Sequence, residues 1–296
     1  MDAGGAARGM TRRTMAGEPW RLLLTGARDG PTNMAIDEAV LRARLAGQAP
    51  LTVRFFGWAP PTVSLGYGQP LDARVDRDAC VRLGLGLVRR PSGGSAILHE
   101  SPDRELTYSV VARGGDFPGA EDVLETYRVL GAGLVAGLAR LGVEAQVVPR
   151  VRGAATQTPA FCFARTGAYE IAVGGRKLVG SAQRRQGAAF LQHGSILLDA
   201  DPARLVAVFP ASGDPMAGLT TLAALCGRRV SADEAVCALT AGLAEALGRG
   251  GLVLGQLSAA EEEAVRRLVA EKYATEGWTL HGTTTPRPVW PARQAS

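Results

Sequence analysis

The chain has 296 residues, 46% of them hydrophobic and 21% charged, and a formal net charge of +5. That balance describes an ordinary globular protein and excludes a fibrous or compositionally disordered chain. No stretch approaches the roughly 20 apolar residues of a membrane helix, so the expectation is a cytoplasmic protein with no membrane role. The positive charge suits an acidic protein partner. The Arg-Arg pairs at 12–13, 89–90, 184–185, 228–229 and 266–267 are scattered and lie outside aromatic-rich sequence, so no nucleic acid partner is expected.

Residues 1–17 are rich in Gly, Ala and Arg without an apolar run, and read as a disordered tail rather than a signal peptide. A first strand is predicted over 20–24. Thr32 or Asn33 then caps a helix to about residue 45, with Asp37 and Glu38 towards its positive end. Strands follow at 51–56 and, after Pro60-Pro61, at 62–65, with a short helix over 77–83. Two apolar runs within 87–98 are joined by Pro91-Ser92-Gly93-Gly94. Paired glycines there either bring backbone N–H groups close to a ligand or make a plain hairpin turn. A strand is predicted over 105–111. Leu124, Tyr127, Leu130, Leu134, Leu138 and Leu141 recur at helical spacing, giving an amphipathic helix of about five turns. A strand near 146–148 precedes a Gly/Ala/Thr/Pro loop over 150–161, which suits a lid.

The next segment organises the chain. Residues 169–173 and 176–183 alternate as strands about Gly174-Gly175, a strong signal for a two-residue hairpin. That turn sets Val173 opposite Arg176, Ala172 opposite Lys177 and Ile171 opposite Leu178. One face then reads as core, and the other carries Lys177, Val179, Ser181 and Gln183. Lys177 and Lys272 are the chain's only lysines among 33 basic residues, so a lysine in mid-hairpin points to chemistry that arginine cannot supply. Cys80, Cys226 and Cys237 lie in apolar, helix-like sequence, whereas Cys162 enters just before the lysine hairpin. No Cys-x-x-Cys or zinc-type spacing occurs, so no metal is expected.

After residue 199 the pattern becomes mostly helical. Ser231-Ala-Asp-Glu234 and Ser258-Ala-Ala-Glu261 are capping-box sequences, opening helices over 231–247 and 258–274 on either side of an apolar run at 252–254. The tail from 283 is Pro/Arg-rich and reads as disordered. The expected fold class is α+β, a mixed or antiparallel sheet with flanking helices. The expected division is a catalytic part over 18–210, a small helical C-terminal subdomain over 211–282 and a tail over 283–296.

Five stretches, in order, resemble the lipoate–protein ligase A-like branch of the biotin/lipoate ligase superfamily. They are Asn33-Met-Ala-Ile-Asp-Glu-Ala39, Arg89-Arg-Pro-Ser-Gly-Gly-Ser-Ala-Ile-Leu-His99, Gly175-Arg-Lys-Leu-Val-Gly-Ser-Ala-Gln183, Gln192-His-Gly-Ser-Ile-Leu-Leu198 and Glu271-Lys-Tyr273. The resemblance implies a biotin/lipoate ligase-like catalytic domain. Its acyl pocket would be lined by Arg89, Ser92, Gly93, Gly94, His99, Gly180, Ser181, Ala182, Gln183, His193 and Gly194, with Lys177 on the acyl carbonyl. Ser95 stands where the family often has glycine or arginine.

The family holds ATP-dependent ligases and cofactor-free octanoyltransferases. Cys162-Phe163 stands where the transferases carry a nucleophilic cysteine, and the sequence after the glycine loop and at the C-terminus is also in their style. The resemblance therefore implies an acyltransferase without a cofactor. It would pass an octanoyl group from octanoyl-acyl carrier protein, through a Cys162 thioester, to a lysine of a lipoyl domain or of the glycine cleavage H protein. His99 and His193 are alternative bases beside Lys177, and no Ser/His/Asp triad suggests itself. The rival readings are an ATP-dependent lipoate–protein ligase and a non-catalytic acyl- or lipoyl-domain-binding protein.

Overall fold

The computed structural model describes residues 20–72, 74–148, 169–248 and 251–282. The terminal tails expected at 1–17 and 283–296, the loop at 150–161 and Cys162 lie outside the described residues. The first half of the chain runs β1 (Trp20–Arg28), α1 (Gly30–Leu45), β2 (Thr52–Trp58), β3 (Thr62–Leu65), α2 (Arg77–Arg82), β4 (Gly86–Arg89), β5 (Ile97–His99), β6 (Glu105–Arg113) and α3 (Val123–Ala139). The second half runs β7 (Gln146–Val147), β8 (Ile171–Val173), β9 (Arg176–Gln186), β10 (Ala189–Leu197), α4 (Pro202–Val208), α5 (Leu222–Cys226), α6 (Ala232–Leu247), β11 (Leu252–Leu254), α7 (Ala259–Leu268) and α8 (Glu276–His281). A π-helical turn, Val269–Tyr273, joins the last two helices.

Eight strands form a mixed sheet in the order β11-β1-β2-β6-β10-β9-β8-β7, and β4-β3-β5 form a smaller one. In the large sheet β1 is parallel to both neighbours, and the other pairs are antiparallel. The α+β expectation holds. The plain-hairpin option for Pro91-Ser92-Gly93-Gly94 does not: β4 and β5 each pair with β3 instead of with each other. The glycine loop therefore crosses from one side of β3 to the other. A close backbone approach pins it, since a Cβ on Gly66 would lie 1.8 Å from the Gly94 carbonyl oxygen.

One face of the large sheet packs on α3 and α6. Phe55, Tyr108, Val110, Phe190 and Ile196 meet Leu130, Leu134 and Leu138 of α3 and Leu239 and Leu243 of α6. The two helices touch through glycine: a Cβ on Gly242 would stand 2.3 Å from the Gly133 carbonyl oxygen. The opposite face is covered by α1, whose Ile36, Val40 and Leu41 meet Val111 and Leu191. Met34, Ala35 and Ala39 of α1 lie in a cluster with Leu268, Tyr273 and Trp278. Segment 211–282 packs closely on the rest of the chain: β11 pairs with β1 at the edge of the sheet, and α6 packs on α3.

Local chemistry explains most boundaries. Asp29, not Thr32 or Asn33, caps α1, its Oδ1 accepting from the Thr32 amide at 2.8 Å. Helix α1 therefore begins earlier than expected, and Asp37 lies in its middle instead of near its positive end. Ser258 and Glu261 form a reciprocal capping box. Ser231 accepts from the Glu234 amide at 3.1 Å, but the Glu234 carboxylate is taken by Arg228, so only half of that box forms. In the β8–β9 hairpin Gly174 and Gly175 have φ of 56° and 77°, as a two-residue turn requires. Val173 faces Arg176 and Ala172 faces Lys177 as predicted. A bulge then pairs Ile171 with Val179 rather than Leu178.

Candidate active site

Strand register builds the site. It aligns Arg54, Ser109, His193 and Ala182 in one row across β2, β6, β10 and β9, and Phe56, Thr107, Ser195 and Gly180 in the next. Directly paired residues share a face, and α1 lies across this one. Its Asp37 is buried and accepts from Arg54 Nη1 at 2.7 Å, Ser109 Oγ at 2.9 Å and His193 Nδ1 at 3.0 Å. Burial would raise the Asp37 pKa, but the Arg54 charge and the His193 contact outweigh it and hold the carboxyl below its usual range. An ionised Asp37 fixes the proton on Nδ1, leaving His193 Nε2 to accept the Ser92 hydroxyl at 2.5 Å. Ser92, His193 and Asp37 thus form the serine–histidine–aspartate array that was not expected from sequence.

A second array runs beside it. Glu105 Oε1 accepts from His99 Nδ1 at 2.7 Å, and His99 Nε2 meets Ser64 Oγ at 2.8 Å. The Glu105 carboxylate also accepts from Thr107 Oγ1 at 2.9 Å and the Glu100 amide at 3.0 Å. Trp58 stacks on the His99 ring at 3.9 Å between centroids and donates Nε1–H to Thr107. Burial lowers the His99 pKa and outweighs the upward pull of Glu105, so His99 is neutral near pH 7, its Nδ1–H on Glu105. Arg90 Nη1 donates to Ser64 Oγ and carbonyl oxygen, both at 3.1 Å.

Between the arrays lies a narrow cleft with Met34, Trp58 and Ile97 as apolar wall. Gly180, Ala182 and Gly194 line its β9–β10 side. Gly194 has no alternative: a Cβ there would lie 2.4 Å from the Gly180 carbonyl oxygen and 2.7 Å from Tyr108 Cε1. Small residues thus form the strand side of the cleft, and the polar groups around it are paired with one another.

Of the sequence-derived site residues, His99, Gly180, Ser181, Ala182, His193 and Gly194 line this cleft, and Ser92 reaches it through His193. Ser181 Oγ also bonds the Tyr108 hydroxyl at 2.8 Å. Gly93 and Gly94 are exposed at the tip of the glycine loop. Three residues go elsewhere. Gln183 donates to Thr126 of α3 and to Gln192. Lys177 is fully buried and ion-paired with Glu170, away from the cleft lining, while its amide and carbonyl bond Gly218 and Thr220. Arg89 turns away: its guanidinium donates to the carbonyl oxygens of Gly66, Tyr67, Gln69, Trp278 and Leu280. The cleft-facing arginine is its neighbour, Arg90.

Sequence reasoning missed Asp37, Arg54, Ser64 and Glu105. One signal was available for Asp37. Asn33 and Asp37 stand four residues apart, hence on one helix face, amid Met34, Ile36 and Val40. Both serve Arg54, whose Nη2 donates to Asn33 Oδ1 at 2.6 Å.

A family model for the lipoyl protein ligase A/B catalytic domain matches residues 29–244. This chain belongs to that family. It is 47% identical to octanoyltransferase LipM of Symbiobacterium thermophilum over 88% of this chain and 98% of the relative, and 45% identical to octanoyltransferase LipM of Kyrpidia tusciae over the same shares. A crystal structure of lipoate-protein ligase A bound with ATP superposes with a TM-score of 0.75 at 27% identity, covering 89% of this chain and 99% of that one. The chain is an acyltransferase. Among the described residues no helix is long and apolar enough to cross a membrane, and no group of three or more His, Cys, Asp or Glu is placed to hold a metal ion.

Proposed function

We propose that the chain carries out octanoyl transfer in lipoate biosynthesis, taking octanoyl from octanoyl-acyl carrier protein and passing it to a lysine of a lipoyl domain, such as the glycine cleavage H protein. The observation that carries this reading is the oriented Ser92–His193–Asp37 array at a narrow apolar cleft, in a chain 47% identical to an octanoyltransferase. Cys162 as thiolate attacks the thioester carbonyl, its C–S bond forms, and the carrier arm leaves as a thiolate. The acceptor amine then attacks the Cys162 thioester, the C–N bond forms, and the thiolate is expelled. A thiolate suits this exchange because it is nucleophilic near neutral pH and one thioester replaces another.

The amine must lose a proton in the second step. Ser92 and His193 Nε2 form a path for it, and Asp37 steadies the imidazolium that results. The net charge of +5 favours encounter with an acidic carrier protein, so transfer from the carrier slows as salt rises.

The test is intact mass after mixing with octanoyl-acyl carrier protein in the absence of ATP. A gain of one octanoyl group, labile to hydroxylamine and absent from Cys162→Ser, is the expected result. No gain, with a lipoyl domain acylated only when MgATP and free octanoate or lipoate are supplied, would replace this reading with a ligase.

A further inference from the structure

Along β9, Arg184 and Gln186 continue the line of Gly180 and Ala182, because alternate residues share a face at steps of roughly 7 Å. One line of side chains therefore leads from the cleft out to a second, smaller groove. Its walls are Arg184 and Gln186, Tyr67, Pro91 of the glycine loop, and Lys272 and Trp278 of the C-terminal segment. The groove thus touches the loop that holds Ser92 on one side and shares the β9 face with the acyl cleft.

Its charges do not balance. Among the described residues Glu38 is the one carboxylate in the lining, and it is shared among Arg42, Lys272 at 2.6 Å and the Tyr273 hydroxyl. Asp37, next to it, is committed to Arg54 and His193. Among the described residues Arg184 makes no hydrogen bond or ion pair; its guanidinium lies over the Tyr67 ring, 5.1 Å from the centroid. Lys272 lies over Trp278 at 3.9 Å. Burial lowers the Lys272 pKa and the Glu38 contact raises it, with Arg42 and Arg184 adding to the lowering. The groove is therefore a partly enclosed place where cations face one another, with a guanidinium fork left to bond.

We propose that this groove binds a phosphate ester, namely the phosphate of the flexible arm on which the acyl donor carries its thioester, with Arg184 as the principal ligand. Arginine's planar fork matches two phosphate oxygens, and Gln186 and Lys272 supply further N–H donors at the same opening. An arm whose acyl chain lies against Gly180 and Ala182 leaves the cleft along β9 and passes Arg184. Lys272 stands outside the part of the chain matched to the family's catalytic domain, so this subsite joins the two parts of the chain around one substrate. It rests on the proposed donor being a phosphopantetheine thioester.

The experiment compares octanoyl-phosphopantetheine with octanoyl-pantetheine, which lacks the phosphate, as donors to a lipoyl domain. Wild type is expected to show a KM about tenfold lower, or more, for the phosphorylated donor, the size of one charge-assisted contact. In Arg184→Gln that advantage falls to about twofold or less while turnover of octanoyl-pantetheine is unchanged; Arg184→Lys restores part of it. Arg184 is half-buried and, among the described residues, without a hydrogen-bond or ion-pair partner, and an unchanged melting temperature would establish that the variant folds. Equal KM values for the two donors in wild type, or an equal loss on both donors in Arg184→Gln, would overturn the subsite and leave the transferase reading standing. MgATP binding that is lost in Arg184→Gln, with no discrimination between the donors, would assign the phosphate to a nucleotide and overturn the donor-arm assignment. No transfer from either thioester would instead overturn the transferase reading.

Discussion

His193 and Asp37 are separated by 156 residues of chain and meet at 3.0 Å, Nδ1 to Oδ2. The contact ties α1 to the middle of the sheet and decides which imidazole nitrogen faces Ser92. Asp37 is held in turn by Arg54 and Ser109, so four elements agree on the orientation of one ring. That agreement separates a preorganised base from a histidine merely satisfied in a core.

Two substitutions separate orientation from stability. In His193→Gln the buried Asp37 keeps Arg54 and Ser109, and the loss falls on proton transfer, so the single-turnover rate of acyl transfer to the lipoyl domain should drop about 10²–10⁴-fold. Asp37→Asn leaves the fully buried Arg54 guanidinium without its carboxylate and should cost about 3–5 kcal/mol in urea denaturation. A His193→Gln enzyme with full transfer rate would remove the relay; an Asp37→Asn protein of wild-type stability would deny that the ion pair is buried.

His99 gives a pH dependence of definite sign. Burial depresses its pKa below the ordinary value of 6.5, so between the folded and unfolded pKa values the unfolded chain binds the extra proton. Stability should therefore rise with pH up to about 6.5–7 and fall as pH drops below that range. Denaturation midpoints across this window, compared between wild type and His99→Gln, should show the slope only in wild type. A slope of the same size in the variant would assign it to other groups.

Elements set by neighbours in sequence were legible, and those set by distant partners were not. Residues 62–65 form β3 with the predicted ends, bounded by Pro61 and Gly66, and Gly174-Gly175 makes the predicted turn. The crossing of the glycine loop was hidden because β4 and β5 find their common partner in a strand earlier in the chain. Arg89 and Arg90 show the same limit. Adjacent residues at the end of a strand point to opposite sides, and nothing local says which side holds the cleft. The motifs containing Ser92 and His193 were recognisable, yet their bond spans 101 residues and the Asp37 that completes it resembled a helix-dipole charge. Lys177 lies in the hairpin where it was expected, but its ion pair with Glu170 depends on a fold-back that the turn alone does not specify.

Gly194 is expected to tolerate no side chain. Alanine there would press its Cβ on the Gly180 carbonyl, Tyr108 and Ser181 Oγ, the last at 2.8 Å. Two of these contacts are on the partner strand β9 and one on β6, so the pair can relieve the clash only by opening its ladder. Gly194→Ala should destabilise the protein by about 1–3 kcal/mol or more and abolish octanoyl transfer. A variant with unaltered melting temperature and activity would mean that β9 and β10 are not so closely apposed.

Trp278 tests whether the C-terminal segment shapes the glycine loop. Its Nε1–H donates to the Arg89 carbonyl at 2.9 Å, and Arg89 Nε donates back to the Trp278 carbonyl at 3.0 Å. Arg89 immediately precedes Arg90 and the loop that carries Ser92, so the exchange clamps α8 to the base of that loop. Trp278→Phe keeps the ring against Lys272 but removes the N–H, leaving a buried carbonyl short of a partner at a cost of about 1–3 kcal/mol. If the clamp positions the loop, kcat for transfer should fall more than the KM for the lipoyl domain rises, because Ser92 is displaced from His193 while the acceptor surface is intact. Equal kcat in Trp278→Phe, with stability reduced as stated, would confine Trp278 to holding the fold.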